Sequence, residues 1–167
     1  MRRFNYFAIS SVVAVTLLSF ISIGSVKPSE LFVGQAFPQT EIAEPHKGEL
    51  VLVNFWAAYD AASRDKNVRL SMVVKKFDEK AMAGSSRLKS ISISMDRFPV
   101  VFEEVVKQDG LNFSEVALEA DGFQSKLAKD LKLNNQFGNF LVDEQGKIIA
   151  KDFTPEELER MLDRYLD

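Results

Sequence analysis

The sequence predicts an α/β fold in which helices cover both faces of a mixed β-sheet. Three observations carry this prediction: an almost unbroken apolar run at residues 50–56, amphipathic helical patterns after the first two predicted strands, and a late hairpin followed by a capped helix. Strands that alternate with helices pair in parallel, whereas the strands of a hairpin pair antiparallel. The 167 residues, 46% of them hydrophobic, suffice for one domain with a complete core.

The first half of this domain predicts strand, helix, strand and helix. Leu50–Trp56 is too short for a helix and rich in β-branched and aromatic residues, as expected of a central strand that is covered on both faces. A helical apolar period runs from Ala61 to about Met82 and ends before Gly84. The alternation from Ile91 to Met95 predicts a second strand, and Pro99–Gly110 predicts a second helix. The predicted apolar face of that helix consists of Val101, Phe102, Val105 and Val106.

The second half predicts a further helix, a hairpin and a closing helix. A connecting stretch that includes Val116 leads to the further helix. Phe140–Val142 and Ile148–Ala150 flank the turn Asp143–Gly146, which has the length and chemistry of a hairpin turn. Thr154–Glu157 is a capping box with proline at the first helical position, so it begins the closing helix. The apolar residues of the further helix are Phe123, Leu127, Ala128 and Leu131. Those of the closing helix are Leu158, Met161, Leu162, Tyr165 and Leu166.

The N-terminus predicts export. Arg2 and Arg3 precede an apolar run from Phe7 to about Ile23, and Ser22–Gly24 offers small residues where a signal peptidase reads the chain. At roughly 17 residues the run also reaches the lower limit for crossing a bilayer. Residues 1–24 are therefore predicted to be a signal peptide or an N-terminal membrane anchor, and both outcomes stay open. Either one places the protein in the periplasm or on the extracytoplasmic face of the membrane.

The remaining chain divides into a lead-in and a domain. Residues 25–48 are polar and turn-rich, so they predict a segment that wraps the domain, with one short strand near Thr40. Residues 49–167 form the domain itself.

Composition excludes several classes of function. The chain has no cysteine, which excludes disulfides, thiolate metal sites and cysteine nucleophiles. Its net charge of -3 supplies no basic field for nucleic acid. The single histidine, His46, cannot form a multi-histidine metal site, and the eight glycines show no phosphate-binding spacing. We therefore expect neither a metal nor a cofactor.

The run from Val51 to Arg64, VLVNFWAAYDAASR, carries a family resemblance. It resembles the exported thiol-disulfide oxidoreductases of the TlpA/ResA type, related to AhpC/TSA. In those proteins a strand ends in Phe-Trp-Ala and is followed by an aromatic residue, a cysteine, two residues, a second cysteine and often an arginine. Gly34–Pro38 is similar to their lead-in, and Phe140–Asp143 with Gly146–Ile149 is similar to their hairpin. The resemblance extends from about Leu31 to the C-terminus and implies a thioredoxin-like three-layer sandwich.

Both hallmarks of that family are replaced. Asp60 and Ser63 occupy the positions of the two cysteines, and Phe137 occupies that of a cis-proline. Disulfide exchange needs a thiolate and a second thiol, so the resemblance implies the scaffold without thiol chemistry of its own. We expect Asp60 to cap the helix by accepting the Ser63 N–H, and Phe137 to lie in a trans loop. Asn54, where some relatives bury an acid, cannot accept a proton.

The leading hypothesis is an exported, redox-inactive pseudoenzyme that binds a protein or peptide in the cell envelope through its degenerate active-site groove. One alternative is a non-redox enzyme that binds a small thiol or an acyl group at the helix N-terminus. Another is an accessory subunit of an envelope assembly. A catalytic triad of Ser63, His46 and an acid such as Asp60 or Asp96 is only a combinatorial possibility. The spacing of these residues does not resemble a nucleophile elbow. The candidate groove residues are Trp56, Tyr59, Asp60, Ser63, Arg64 and Phe137.

Overall fold

The computed structural model describes residues 30–38, 46–81 and 87–166. The predicted signal or anchor segment and the strand expected near Thr40 lie outside these residues. Within them, five strands form one sheet and four α-helices pack around it. The strands are β1 (Glu49–Trp56), β2 (Arg87–Ser94), β3 (Glu115–Leu118), β4 (Asn139–Val142) and β5 (Ile148–Lys151). The helices are α1 (Ala61–Ala81), α2 (Pro99–Asp109), α3 (Lys126–Asp130) and α4 (Pro155–Leu166).

Strand β1 is the centre of the sheet, whose order is β3-β2-β1-β4-β5. It pairs in parallel with β2, where Asn54 is opposite Ser92, and antiparallel with β4, where Val53 is opposite Phe140. Strand β3 continues the parallel half, and β5 completes the hairpin with β4. The predicted mixed sheet, its central strand and its late hairpin are confirmed.

Two apolar cores lie on opposite faces of the sheet because side chains alternate along each strand. Val51, Val53 and Phe55 face the first core, which includes Leu131 beside α3. Leu50 and Leu52 face the second core, which joins the sheet to α1 and α4. Helices on both faces of a mixed sheet confirm the predicted fold class.

The first described segment of the lead-in, residues 30–38, lies along β5. The Gly34 N–H donates to the Ile148 carbonyl at 2.7 Å, and the Ile148 N–H donates to the Gln35 carbonyl at 2.8 Å. The Phe37 N–H donates to the Gly146 carbonyl, and the Phe37 ring contacts Phe140 edge-on. These bonds cover the edge of β5, which would otherwise expose unpaired backbone groups.

Two sequence predictions need correction in the middle of the chain. The stretch around Val116 is part of strand β3, which alternation did not reveal because only four residues pair with β2. The single helix predicted from Phe123 to Leu131 is instead a 3₁₀ turn at Gly122–Gln124 followed by α3. Ser125 separates them because its extended backbone lets the hydroxyl accept the Ala128 N–H as an N-cap.

The predicted apolar face of α2 is only partly buried. Val105 is buried, Phe102 and Val106 are half-buried, and Val101 is exposed. Part of the apolar stripe of this helix therefore faces solvent instead of the core.

Helix α4 packs beside α1 and is started by the predicted capping box. The Glu157 N–H donates to Thr154 Oγ1 at 3.2 Å, and the Thr154 N–H donates to Glu157 Oε2 at 2.8 Å. A row of ion pairs then joins the exposed sides of the two helices: Arg69–Glu156, Lys76–Glu159 and Lys80–Asp163. No helix in the part of the chain that the structure describes combines the length and apolarity needed to cross a membrane.

The packing of α4 predicts a large cost for truncating Leu158, which is completely buried between this helix and the sheet. Leu158→Ala should lower the free energy of unfolding by about 2–5 kcal/mol because the vacated space cannot fully collapse. Met72→Ala on the exposed side of α1 is the control and should change it by less than about 0.5 kcal/mol. Chemical denaturation of both variants measures the difference, and equal costs would contradict this packing.

Candidate functional site

The candidate site lies where β1 and β2 end and α1 begins. A short loop, residues 57–60, joins β1 to α1 at this edge of the sheet. The Met95 N–H donates to the Trp56 carbonyl at 2.8 Å, and the Ala58 N–H donates to Asp96 Oδ2 at 2.8 Å. The loop is therefore fastened to the neighbouring strand end before the helix starts.

Asp96 is the buried anchor of this loop. Besides the Ala58 N–H, its carboxylate accepts the Ser94 hydroxyl at 2.6 Å, while the Asp96 N–H donates to Ser94 Oγ at 3.2 Å. The sequence indicated only an acid after a strand, which is typical of a cap or turn residue. Its position two residues after β2, at the edge where β1 also ends, is the signal that could have identified this role.

Asp60 and Ser63 form the N-terminal cap of α1. The Ser63 N–H donates to Asp60 Oδ1 at 2.7 Å, as predicted. The Ser63 hydroxyl donates to the Asp60 carbonyl at 3.1 Å and accepts the Ala57 N–H at 3.2 Å. Because Ser63 is only 7% exposed and its hydroxyl is engaged in both directions, it is not placed as a free nucleophile.

His46 is remote from this pair. It precedes β1, whereas Asp60 and Ser63 follow it. The eight residues of the strand span roughly 25 Å at about 3.3 Å per residue. The combinatorial triad therefore does not assemble.

An aromatic cluster forms the exposed part of the site. The Tyr59 ring lies 6.0 Å from the ring of Phe137, which in turn lies 5.1 Å from that of Phe123. Phe137 is half-buried in a loop that the Phe55 N–H holds by donating to the Gly138 carbonyl at 3.0 Å. Every peptide bond among the described residues is trans, including those of this loop, as expected for phenylalanine in place of proline. The sequence placed Phe123 on a helix and gave no sign that it belongs to this cluster.

Tyr59 is the prominent exposed side chain, with 68% of its surface accessible. Partial burial raises its pKa above the ordinary value for tyrosine, and the charges of Asp96 and Asp60 raise the pKa further. The phenol therefore stays protonated at neutral pH and can donate a hydrogen bond beside two carboxylates.

Two other predicted groove residues, Trp56 and Arg64, are not part of the exposed aromatic cluster. Trp56 is completely buried, and its indole Nε1 has no hydrogen-bond partner among the described residues. Arg64 faces α2 and forms a two-point ion pair with Asp109, with Nε at 2.8 Å from Oδ2 and Nη2 at 2.5 Å from Oδ1. This ion pair raises the pKa of Arg64 and directs its side chain toward α2. Of the predicted groove residues, the structure brings together Tyr59, Asp60, Ser63 and Phe137.

Beneath the site, the polar residues between β1 and α1 bond to one another. Asn54 Nδ2 donates to Asn67 Oδ1 at 2.8 Å, and the Ser92 hydroxyl donates to the same oxygen at 2.8 Å. All three residues are buried. The amide of Asn54 is held in a neutral network that offers no proton acceptor for acid-base chemistry. Among the residues that the structure describes, no group of three or more histidines, cysteines or acids is placed to hold a metal ion.

Solved structures similar to this chain share its fold. A thioredoxin-like protein from Parabacteroides distasonis is 38% identical, with a TM-score of 0.71 over 80% of this chain and 96% of that one. A thiol-disulfide oxidoreductase from Bacteroides fragilis is 25% identical, with a TM-score of 0.58 over 73% and 85% of the two chains. A thiol:disulfide interchange protein from a Bacteroides species is 21% identical, with a TM-score of 0.63 over 83% and 91%. No protein-family model and no curated protein matches the chain.

The anchoring role of Asp96 predicts a specific loss of stability. Asp96→Ala removes the acceptor of two hydrogen bonds and leaves the Ala58 N–H without its partner, so the free energy of unfolding should fall by about 2–4 kcal/mol. Asp121→Ala, at an exposed position, should change it by less than about 0.5 kcal/mol. Denaturant titration compares the two variants. If Asp96→Ala costs no more than Asp121→Ala, the loop does not depend on this carboxylate.

Proposed function

Because this chain belongs to the thioredoxin-like proteins, whose fold it shares with thiol-disulfide oxidoreductases, and yet has no cysteine, we propose that it is a redox-inactive binding module. It is exported by its N-terminal segment and binds a protein or peptide in the cell envelope. The binding site is the groove formed by Tyr59, Asp60 and Phe137.

The observation that carries this proposal is the exposed Tyr59 ring on a rigid loop. Aromatic side chains that are exposed and held in place are effective anchors for partners, because little side-chain entropy is lost on binding. The backbone of the loop is fixed by Asp96 on one side and by the cap of α1 on the other. The site therefore presents a preformed surface although it has no nucleophile.

A non-redox enzyme at the same helix N-terminus has less support. The Asp60 carboxylate and the Ser63 hydroxyl are already engaged in capping contacts, so neither is poised to bind a small thiol or acyl group. An accessory role in an envelope assembly is compatible with the binding surface and differs from the main proposal only in how lasting the interaction is.

The loss of redox activity is testable by restoring the thiols. The purified chain should not accelerate insulin reduction by dithiothreitol, since it contributes no thiol. In Asp60→Cys/Ser63→Cys, two cysteines at i and i+3 of the α1 N-terminus should form an intrachain disulfide on oxidation. Thiol titration before and after oxidation measures this, and Asp60→Cys alone is the control. If the double variant keeps its free thiols after oxidation, positions 60 and 63 do not have the separation and orientation that a disulfide needs.

Partner binding is testable by crosslinking in envelope preparations with the full chain as bait. Tyr59→Glu should lose the partners that the native chain captures, because it places a charge on the exposed aromatic surface. Phe32→Glu is the matched control, since Phe32 is also an exposed phenyl ring, 51% accessible, but lies in the lead-in. Circular dichroism establishes that both variants are folded.

The two variants separate the possible results. Partners lost only with Tyr59→Glu support the groove as the binding site. Equal capture by both variants and the native chain would contradict it and move the interface elsewhere on the molecule.

A further inference from the structure

A second group of exposed apolar side chains lies at the N-terminus of α2, which follows the neighbouring strand β2. Phe98 is 68% exposed and immediately precedes this helix, and Val100 and Val101 in its first turn are also exposed. The Ala58–Asp96 hydrogen bond places Tyr59 and Phe98 on neighbouring strand ends, one and two residues away from the bonded pair. Because β1 lies between β2 and β4, the loop that carries Tyr59 follows a strand that lies between the strands next to Phe98 and Phe137 in the chain. We call Phe98, Val100, Val101, Tyr59 and Phe137 the apolar strip.

Phe98 contributes no side-chain cap to α2 in the part of the chain that the structure describes. It occupies the N-cap position of α2, with extended backbone and no side-chain capping bond. Serine, threonine, aspartate or asparagine at this position would stabilise the helix, whereas phenylalanine leaves its first N–H groups without a side-chain acceptor. The sequence therefore keeps an exposed phenyl ring where local stability favours a polar residue.

Acidic side chains border the strip at its Tyr59 and Phe98 end. The loop after β1, the segment from Met95 through the first turns of α2, and the segment after β3 together carry five exposed or half-exposed acids and one arginine, besides the buried Asp96. Residues 122–138, which carry Phe137, have three lysines and one aspartate instead. The Glu119 N–H donates to the Ser94 carbonyl at 2.8 Å, which places the third segment beside the end of β2. The exposed or half-exposed charged residues of these three segments are Asp60, Glu103, Glu104, Glu119, Asp121 and Arg97.

We propose that the apolar strip binds a cationic polypeptide segment, one that carries apolar side chains together with lysine or arginine. This inference rests on the proposed binding function and names the class of partner. Apolar side chains of the partner cover Phe98 and Tyr59, while its positive charges meet the acids that border the strip. A second copy of this chain is disfavoured as the occupant because two such acidic borders repel each other.

The test is fluorescence anisotropy with the full chain in neutral detergent at low ionic strength. One probe is a short, end-blocked, labelled peptide of phenylalanine, lysine and glycine, and the other has every lysine replaced by glutamate. The lysine peptide should bind at least about fivefold more tightly, and added salt should weaken its binding. Equal affinity, or tighter binding of the glutamate peptide, would overturn the partner class.

Matched variants locate the binding. Phe98→Ser should weaken binding of the lysine peptide by about fivefold or more, whereas Phe32→Ser should not change it. Glu103→Lys/Glu104→Lys should weaken it similarly, whereas Glu79→Lys, near the far end of α1, should not. No difference within either pair would overturn the proposed surface.

The same experiment separates this inference from the proposed function. If the glutamate peptide binds more tightly and Tyr59→Ser abolishes that binding, the groove remains a binding site and only the partner class is wrong. If Tyr59→Ser and Phe98→Ser leave peptide binding unchanged, both proposals are contradicted. Sedimentation could also show a dimer of the native chain that Phe98→Ser dissociates. That result would make a second copy the occupant of the strip and overturn the proposal of a cationic segment.

Discussion

The hydrogen bond between the Ala58 N–H and the buried Asp96 carboxylate is the contact on which the candidate site depends. It joins the loops that follow the two parallel strands β1 and β2, at the edge of the sheet where both strands end. The exposed residues that follow these two strands lie within a few residues of it: Tyr59 and the α1 cap on one side, Phe98 and α2 on the other. A carboxylate that accepts two hydrogen bonds in a buried setting holds this geometry more firmly than neutral contacts would.

The N-terminus of α1 explains how the scaffold keeps its shape without cysteines. The first turn of any helix has free N–H groups and a partial positive charge, and both favour an anion or an oxygen acceptor. Asp60 satisfies this requirement with its carboxylate, and Ser63 fits the buried position because its hydroxyl bonds to the Ala57 N–H and the Asp60 carbonyl. The two replacements are therefore structurally favourable, and they remove only the thiols.

Most of the fold was predictable because its strong signals are local. The apolar run of β1, the long period of α1 and the capping box of α4 each specify an element by themselves. Strand β3 and the break before α3 were not predictable: the strand has only four residues, and the break depends on one serine in an extended conformation. At the site, the Asp60 cap is local and was predicted, whereas Trp56 and Arg64 are placed by packing and by Asp109, which lies far along the chain.

The site therefore combines a hydrogen-bonded scaffold with an exposed apolar surface. Beneath the exposed loop, the Asn54–Asn67–Ser92 network is neutral and buried, so these three residues supply no acid, base or redox group. At the surface, Phe98 gives the N-terminus of α2 no side-chain cap, and the exposed Phe98 and Tyr59 forgo stability that polar residues would supply. Selection for folding alone would favour capping and polar side chains at these positions. The exposed rings of Phe98 and Tyr59 at these positions therefore support the proposed binding function.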